Sequence, residues 1–133
     1  MQIVVARPPN FDEIVAAFPI ATKPGVLFAW GDTIYNPSGV VIPPQLVAHE
    51  GVHAKQHAAV GSPAYWWRQY ITFVEFRAEQ ELAAHREEFK VYCQRVKDRN
   101  QQAKALHMIA SRLSGPLYGG AMSFADARRQ IVQ

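Results

Sequence analysis

The sequence predicts a mainly α (α+β) domain in which a small β-hairpin precedes a histidine-bearing helix, and that helix packs on a long glutamate-bearing helix. Three observations carry this. Apolar residues recur at helical spacing over most of the chain after Pro43. β-branched and aromatic residues flank Gly31-Asp32 in the first third. The 133 residues, 49% hydrophobic and 19% charged, suit one core-bearing domain spanning 1–133 rather than a disordered chain.

In order, residues 2–6 form a short β-type run closed by Pro8-Pro9. Asn10 is placed to cap a helix over Phe11 to Phe18, which Pro19 ends. Gly25 to Trp30 and Thr33 to Asn36 read as hairpin strands around the Gly-Asp turn. Pro37-Ser38-Gly39 turns the chain, and Pro43-Pro44 suits a helix start. The helix then runs to about Val60, where Gly61-Ser62-Pro63 stops it. From Ala64 a helical pattern runs to about Val96, with room for a kink; Trp67, Ile71, Val74 and Ala78 share a stripe that Glu81 and His85 continue. The charged run Lys97 to Asn100 ends it. A further helix is expected over Gln101 to Leu113, with Ala105, Met108, Ile109 and Leu113 on its apolar side. After the loop 114–120, Ser123 and Asp126 resemble a capping box opening a last helix to about Val132.

The chemistry-bearing stretch is His49-Glu50-Gly51-Val52-His53. Residues four apart share one helix face, so both imidazoles can grip one metal ion, with the Glu50 carboxylate beside them to take a proton from a water. With five His and seven Glu, random order gives this spacing in roughly one chain in a hundred. Zn2+ fits such ligands, and a catalytic site needs a third protein ligand. His57 cannot supply it, because His49 and His57 lie about 12 Å apart along a helix axis with His53 between them; it reads as an outer or surface residue. His85 and His107 are lone histidines, which more often pack or face solvent. Glutamates of the following helix are the alternative: Glu75, Glu79 and Glu81. A carboxylate on an apolar stripe is costly unless paired or metal-bound, which favours Glu81 over Glu75 and places Glu79 toward solvent. Trp66, Trp67 and Tyr70 read as core aromatics.

Other classes are less well supported. Net charge is +3, with basic residues interleaved with acids, so nucleic-acid binding is not indicated. A single cysteine, Cys93, excludes an internal disulfide. No apolar run approaches a membrane span, and the start has no long apolar segment of a signal peptide.

The motif followed by a glutamate-bearing helix resembles the gluzincin group of zinc metallopeptidases. In that group the third ligand opens an E-x-x-A pattern closed by Asp or another residue. Glu75-Phe-Arg-Ala78-Glu79 matches it with an acid at the end; Glu81-Leu-Ala-Ala84-His85 matches with His85 there instead. The metzincin alternative fails, because no Gly sits at the required place in the spacer after His53. The run from Trp66-Trp67 to Gln80-Glu81-Leu82-Ala83-Ala84-His85 is also similar to small HExxH proteins of phages and bacterial genomes, in which the Gln-Glu pair supplies the Glu. The resemblance implies a minimal zincin-like domain with zinc on His49, His53 and Glu81, and Glu50 as general base in peptide-bond hydrolysis. It also implies a peptide or protein substrate lying along a strand of the hairpin, either Val26 to Trp30 or Thr33 to Asn36. Tyr118 is the first candidate for the donor to the developing oxyanion, with His85 or His107 behind it. The alternative it implies is an assembly protein, virion-associated or working with a protein partner, that keeps the metal site with little hydrolysis. A cytoplasmic or virion-associated location is expected.

Overall fold

The computed structural model describes residues Met1–Gln133. Strand β1 (Gln2–Val4) is followed by α1 (Phe11–Ala17), a 3₁₀ turn (Pro19–Thr22) and the hairpin β2 (Phe28–Trp30) and β3 (Thr33–Tyr35). Then come α2 (Pro44–Val60), α3 (Pro63–Thr72), α4 (Val74–Arg95), α5 (Arg99–Leu113), a second 3₁₀ turn (Pro116–Tyr118) and α6 (Phe124–Ile131). The result is the expected mainly α (α+β) domain. No helix is long and apolar enough to cross a membrane.

The hairpin closes with Gly31 at φ +59°, a conformation glycine adopts without the Cβ penalty. The sheet order is β1-β3-β2, with β1 parallel to β3. β3 is therefore central. Its even-numbered residues face β1, since Asp32 O accepts from Gln2 N–H and Asn36 N–H donates to Val4 O. Phe28 and Trp30 bond inward to its odd-numbered residues, leaving the Leu27 and Ala29 backbone on the outer edge. This corrects the Thr33 to Asn36 alternative for a substrate strand: both sides of that strand are occupied, and of the two hairpin strands β2 alone keeps an unpaired edge.

α2 keeps the expected bounds, with Gly61 in the left-handed region at its end and the Ser62 hydroxyl accepting from Tyr65 N–H to cap α3. The pattern from 64 to 96 is two helices, broken at Phe73 (φ −114°, ψ 114°). Arg77 explains how the break is tolerated. Its guanidinium donates to the freed carbonyls of Tyr70 (2.7 Å) and Ile71 (3.3 Å), and to Leu117 O (2.9 Å). The stripe predicted across the break is thus not one helix face.

Smaller corrections follow the same logic. Asn10 precedes α1 but its side chain makes no capping bond, and both its polar atoms are buried without partners. α5 begins at Arg99, because the Asp98 carboxylate accepts from Gln101 N–H and makes the charged run a helix start. Its buried face is Leu106, Ile109, Ala110 and Leu113, while Met108 is exposed. Ser123 does cap α6, accepting from Asp126 N–H, but Asp126 turns to Arg129 rather than back to Ser123.

Two apolar clusters result. One gathers Trp66, Trp67 and Tyr70 with Phe28, Ile14 and Ala21. The other gathers Leu106, Ile109, Leu113 and Tyr118 with Ala127 and Ile131. The second cluster receives Tyr118 because Gly119 (φ +60°) lets the turn press on α4, where any Cβ would come within 2.9 Å of Val74 Cγ2. Alongside them, α2 faces α4 across a seam of buried His49, Glu50, His53, Glu81, His85 and Glu88.

Candidate metal centre

The imidazoles of this seam are held from behind. α2 brings His49 and His53 to one face, and their ring centroids lie 4.9 Å apart. His53 Nδ1 meets Gln56 Oε1 at 2.8 Å, while Gln56 Nε2 donates to Gln80 O. That second bond fixes the amide, so Gln56 Oε1 accepts and His53 carries its hydrogen on Nδ1. His49 Nδ1 lies 2.8 Å from Glu88 Oε1, and His85 Nδ1 lies 2.9 Å from the same oxygen. A carboxylate only accepts, so both rings donate from Nδ1. The inward Nε2 atoms of His49 and His53 are left as lone pairs.

Glu81 reaches this point from α4. Its Oε1 is 3.4 Å from His49 Nε2 and 2.5 Å from His53 Nε2. The ring geometry nevertheless makes no hydrogen bond, and Glu81 Oε1 is buried without a donor. Its other oxygen accepts from Tyr118 (3.1 Å) and Tyr70 (3.3 Å). Three lone-pair atoms therefore converge, a costly arrangement in a buried site unless a cation sits among them. Tetrahedral zinc with ligands at about 2.1 Å sets them roughly 3.4 Å apart, which the His49–Glu81 spacing matches and the shorter His53–Glu81 spacing of 2.5 Å would have to open to reach. Glu50 Oε2 stands 3.6 Å from His49 Nε2, within reach of the same point. Two sets, His49 with Glu50 and His53, and His49 with Glu81 and His85, each bring one ligand atom per residue within 4.8 Å of one another. These residues could hold a metal ion.

The electrostatics agree. Burial alone would raise the Glu81 carboxyl, but His53 and His49 outweigh it and hold Glu81 well below the usual carboxylate range. Burial would likewise lower both imidazoles, yet Glu81, with Glu88 beside His49, pushes His49 well up and His53 up. Burial raises Glu50, the change a general base needs to work near neutral pH. Glu88 is held down to about 2; burial opposes this, and the His49 and His85 hydrogen bonds overcome it.

The structure brings His49, His53, Glu50 and Glu81 together, while Glu75 and Glu79 are exposed. Tyr118 is at the site, 4% exposed, with its hydroxyl on Glu81 rather than free in the cleft. His85 stands beside His49, ring centroids 4.6 Å apart. His107 packs on Phe124, exposed on α5. His57 is neither outer partner nor surface: it is 1% exposed, and its Nδ1 accepts from Gly31 N–H at 3.0 Å. Trp66, Trp67 and Tyr70 are core as expected, and each also serves the site. Trp66 lies against His53, Trp67 Nε1 donates to Ala29 O, and Tyr70 holds Glu81. Sequence reasoning missed Glu88 and Gln56, whose only signal was carboxylate or amide next to the seam of α4 or one turn past His53.

Were His49 to hold a metal ion, Glu88 would position its ring, and Glu88→Gln would then be expected to lower metal affinity by roughly 10- to 100-fold while leaving the ion bound at saturation. Competition against a chromophoric chelator measures this; an unchanged affinity would show that His49 needs no anchor.

Compared with protein families, curated proteins and solved structures, the chain shows no match to any.

Proposed function

We propose that this protein is a zinc-dependent peptidase with His49, His53 and Glu81 as metal ligands. The observation that carries the proposal is Glu81 Oε1, buried, without a hydrogen-bond donor and facing two imidazole lone pairs, with a second carboxylate, that of Glu50, beside them. A structural site needs the ligands but has no use for that extra base. Zinc held there supplies Lewis acidity and makes a water acidic enough to ionise near neutral pH. Glu50 accepts the proton of the attacking water and returns it to the leaving amine. Tyr70 and Tyr118 keep Glu81 presenting one oxygen inward. Burial and the Glu81 charge push the Tyr118 hydroxyl far up, so it stays protonated and a donor at any working pH. The outer edge of β2 offers an extended substrate the Leu27 backbone.

Glu50→Gln tests this. Hydrolysis of a quenched peptide library should fall on the order of 10²- to 10⁴-fold, with zinc content and thermal unfolding close to wild type. The assembly reading, virion-associated or partnered, predicts no hydrolysis in the parent and no phenotype in the variant. It is favoured if zinc raises stability by clamping α2 to α4 while no peptide is cut.

A further inference from the structure

The metal corner sits at a blind end. Toward Trp66, Trp67 and Tyr70 there is only a cavity of about 90 Å³. The strand edge closes at the same place, because the Trp67 indole takes the outward carbonyl of Ala29. On the other side the site opens into a cleft of about 480 Å³ that runs past Leu27 toward Lys23. The acids of that cleft, Glu50, Glu81 and Glu88, are all buried and turned to the imidazoles. Its exposed charges are both cations, Lys23 and Arg112. Neither side chain has an ion pair or a hydrogen bond, although Arg129, elsewhere on the surface, is paired with Asp126.

Resting on the peptidase reading above, we propose that Lys23 and Arg112 recognise a carboxylate on the open side of the cleft, making the substrate an acidic peptide. Guanidinium forms bidentate bonds with carboxylates, and an ammonium nearby adds a point charge. With a divalent ion in place, the three buried acids leave the centre about one charge negative, and two free cations reverse the sign for an arriving ligand. The carboxylate can come from a chain terminus or from an Asp or Glu side chain. The β2 edge, with Leu27 presented to the cleft, favours a peptide over a nucleic acid as its carrier.

The test is binding, so it does not require turnover. Zinc-loaded Glu50→Gln protein is titrated into four tetramethylrhodamine-labelled peptides by fluorescence anisotropy. They are Ala-Ala-Leu-Ala-Ala as free acid and as amide, and Ala-Ala-Leu-Glu-Ala amide against its Gln twin. At least one carboxylate peptide should bind roughly tenfold more tightly than its neutral twin at low salt, with the gap shrinking in 0.5 M salt. Which pair shows it names the source. The double variant Lys23→Gln/Arg112→Gln, both exposed sites, should remove the gap and leave neutral-peptide binding unchanged. Equal binding within both pairs would overturn the proposal, as would a gap that survives the double variant, since the metal alone would then take the carboxylate. Displacement of the peptides by a single-stranded oligonucleotide at lower concentration than by unlabelled acidic peptide would also overturn it. A protein that cuts nothing but shows the charge-dependent gap would defeat the peptidase reading and keep this one.

Discussion

Glu81→Ala should lose its metal and unfold at lower temperature, while Glu75→Ala does neither. The carboxylate has two jobs, one per oxygen. Oε1 faces the His49 and His53 Nε2 atoms, so its removal leaves two protein ligands where a tight site needs three. Affinity should fall by more than the roughly 100-fold ceiling for loss of an outer partner. Oε2 is the shared acceptor of the Tyr70 and Tyr118 hydroxyls. Alanine leaves both buried donors unpaired, at about 1–3 kcal/mol each. Glu81→Gln separates the jobs: its amide oxygen still accepts from the tyrosines, so stability largely returns while the metal does not. Glu75 is exposed in the first turn of α4 and touches none of this. Metal content after dialysis, with chelator-treated melts of all three variants, gives the answer. A Glu81→Ala protein that keeps one ion per chain would remove α4 from the metal site altogether.

What could be read from the sequence was what depends on short spacing. His49, Glu50 and His53 share a helix face because they are within four residues, and no tertiary knowledge is needed to see it. Glu81 was reachable through the cost of burying a carboxylate, yet the stripe used to find it crosses a break that no Pro or Gly marks. The break at Phe73 stands because Arg77 and the turn at Leu117 return to it, and pairing 40 residues apart leaves no local trace. Glu88 and His49 are 39 apart in the chain, and Tyr118 and Glu81 are 37 apart. Such partners are assigned by the packing of α2, α4 and the second 3₁₀ turn, not by pattern. β3 had the same difficulty: its hairpin with β2 is local, but β1 arrives from the start of the chain to cover its other side.

His57 should make the protein acid-sensitive in a way the metal site does not explain. It lies one turn beyond His53, fully buried, with its ring 4.5 Å from that of Trp66. Nδ1 accepts from Gly31 N–H, so the neutral ring keeps its hydrogen on Nε2. A second proton would have to go on Nδ1, where it would meet that N–H head-on. Burial, aided by the neighbouring His53, accordingly lowers the group from 6.5 to about 4. The unfolded chain binds this proton from about pH 6.5 downward, whereas the folded chain refuses it until about pH 4. The unfolded state therefore holds more protons across that window, and stability falls as pH falls. The full gap is worth about 3 kcal/mol. The sign is opposite to that of His49 and His53, whose raised values favour the folded state below their unfolded value. His57→Gln can still accept from Gly31 but cannot titrate. Its urea unfolding free energy, measured on metal-free protein at pH 7 and pH 4, should fall less than that of wild type by up to this amount. Parallel pH dependence in the two proteins would mean that His57 takes up its proton inside the fold, and that the hairpin turn yields to it.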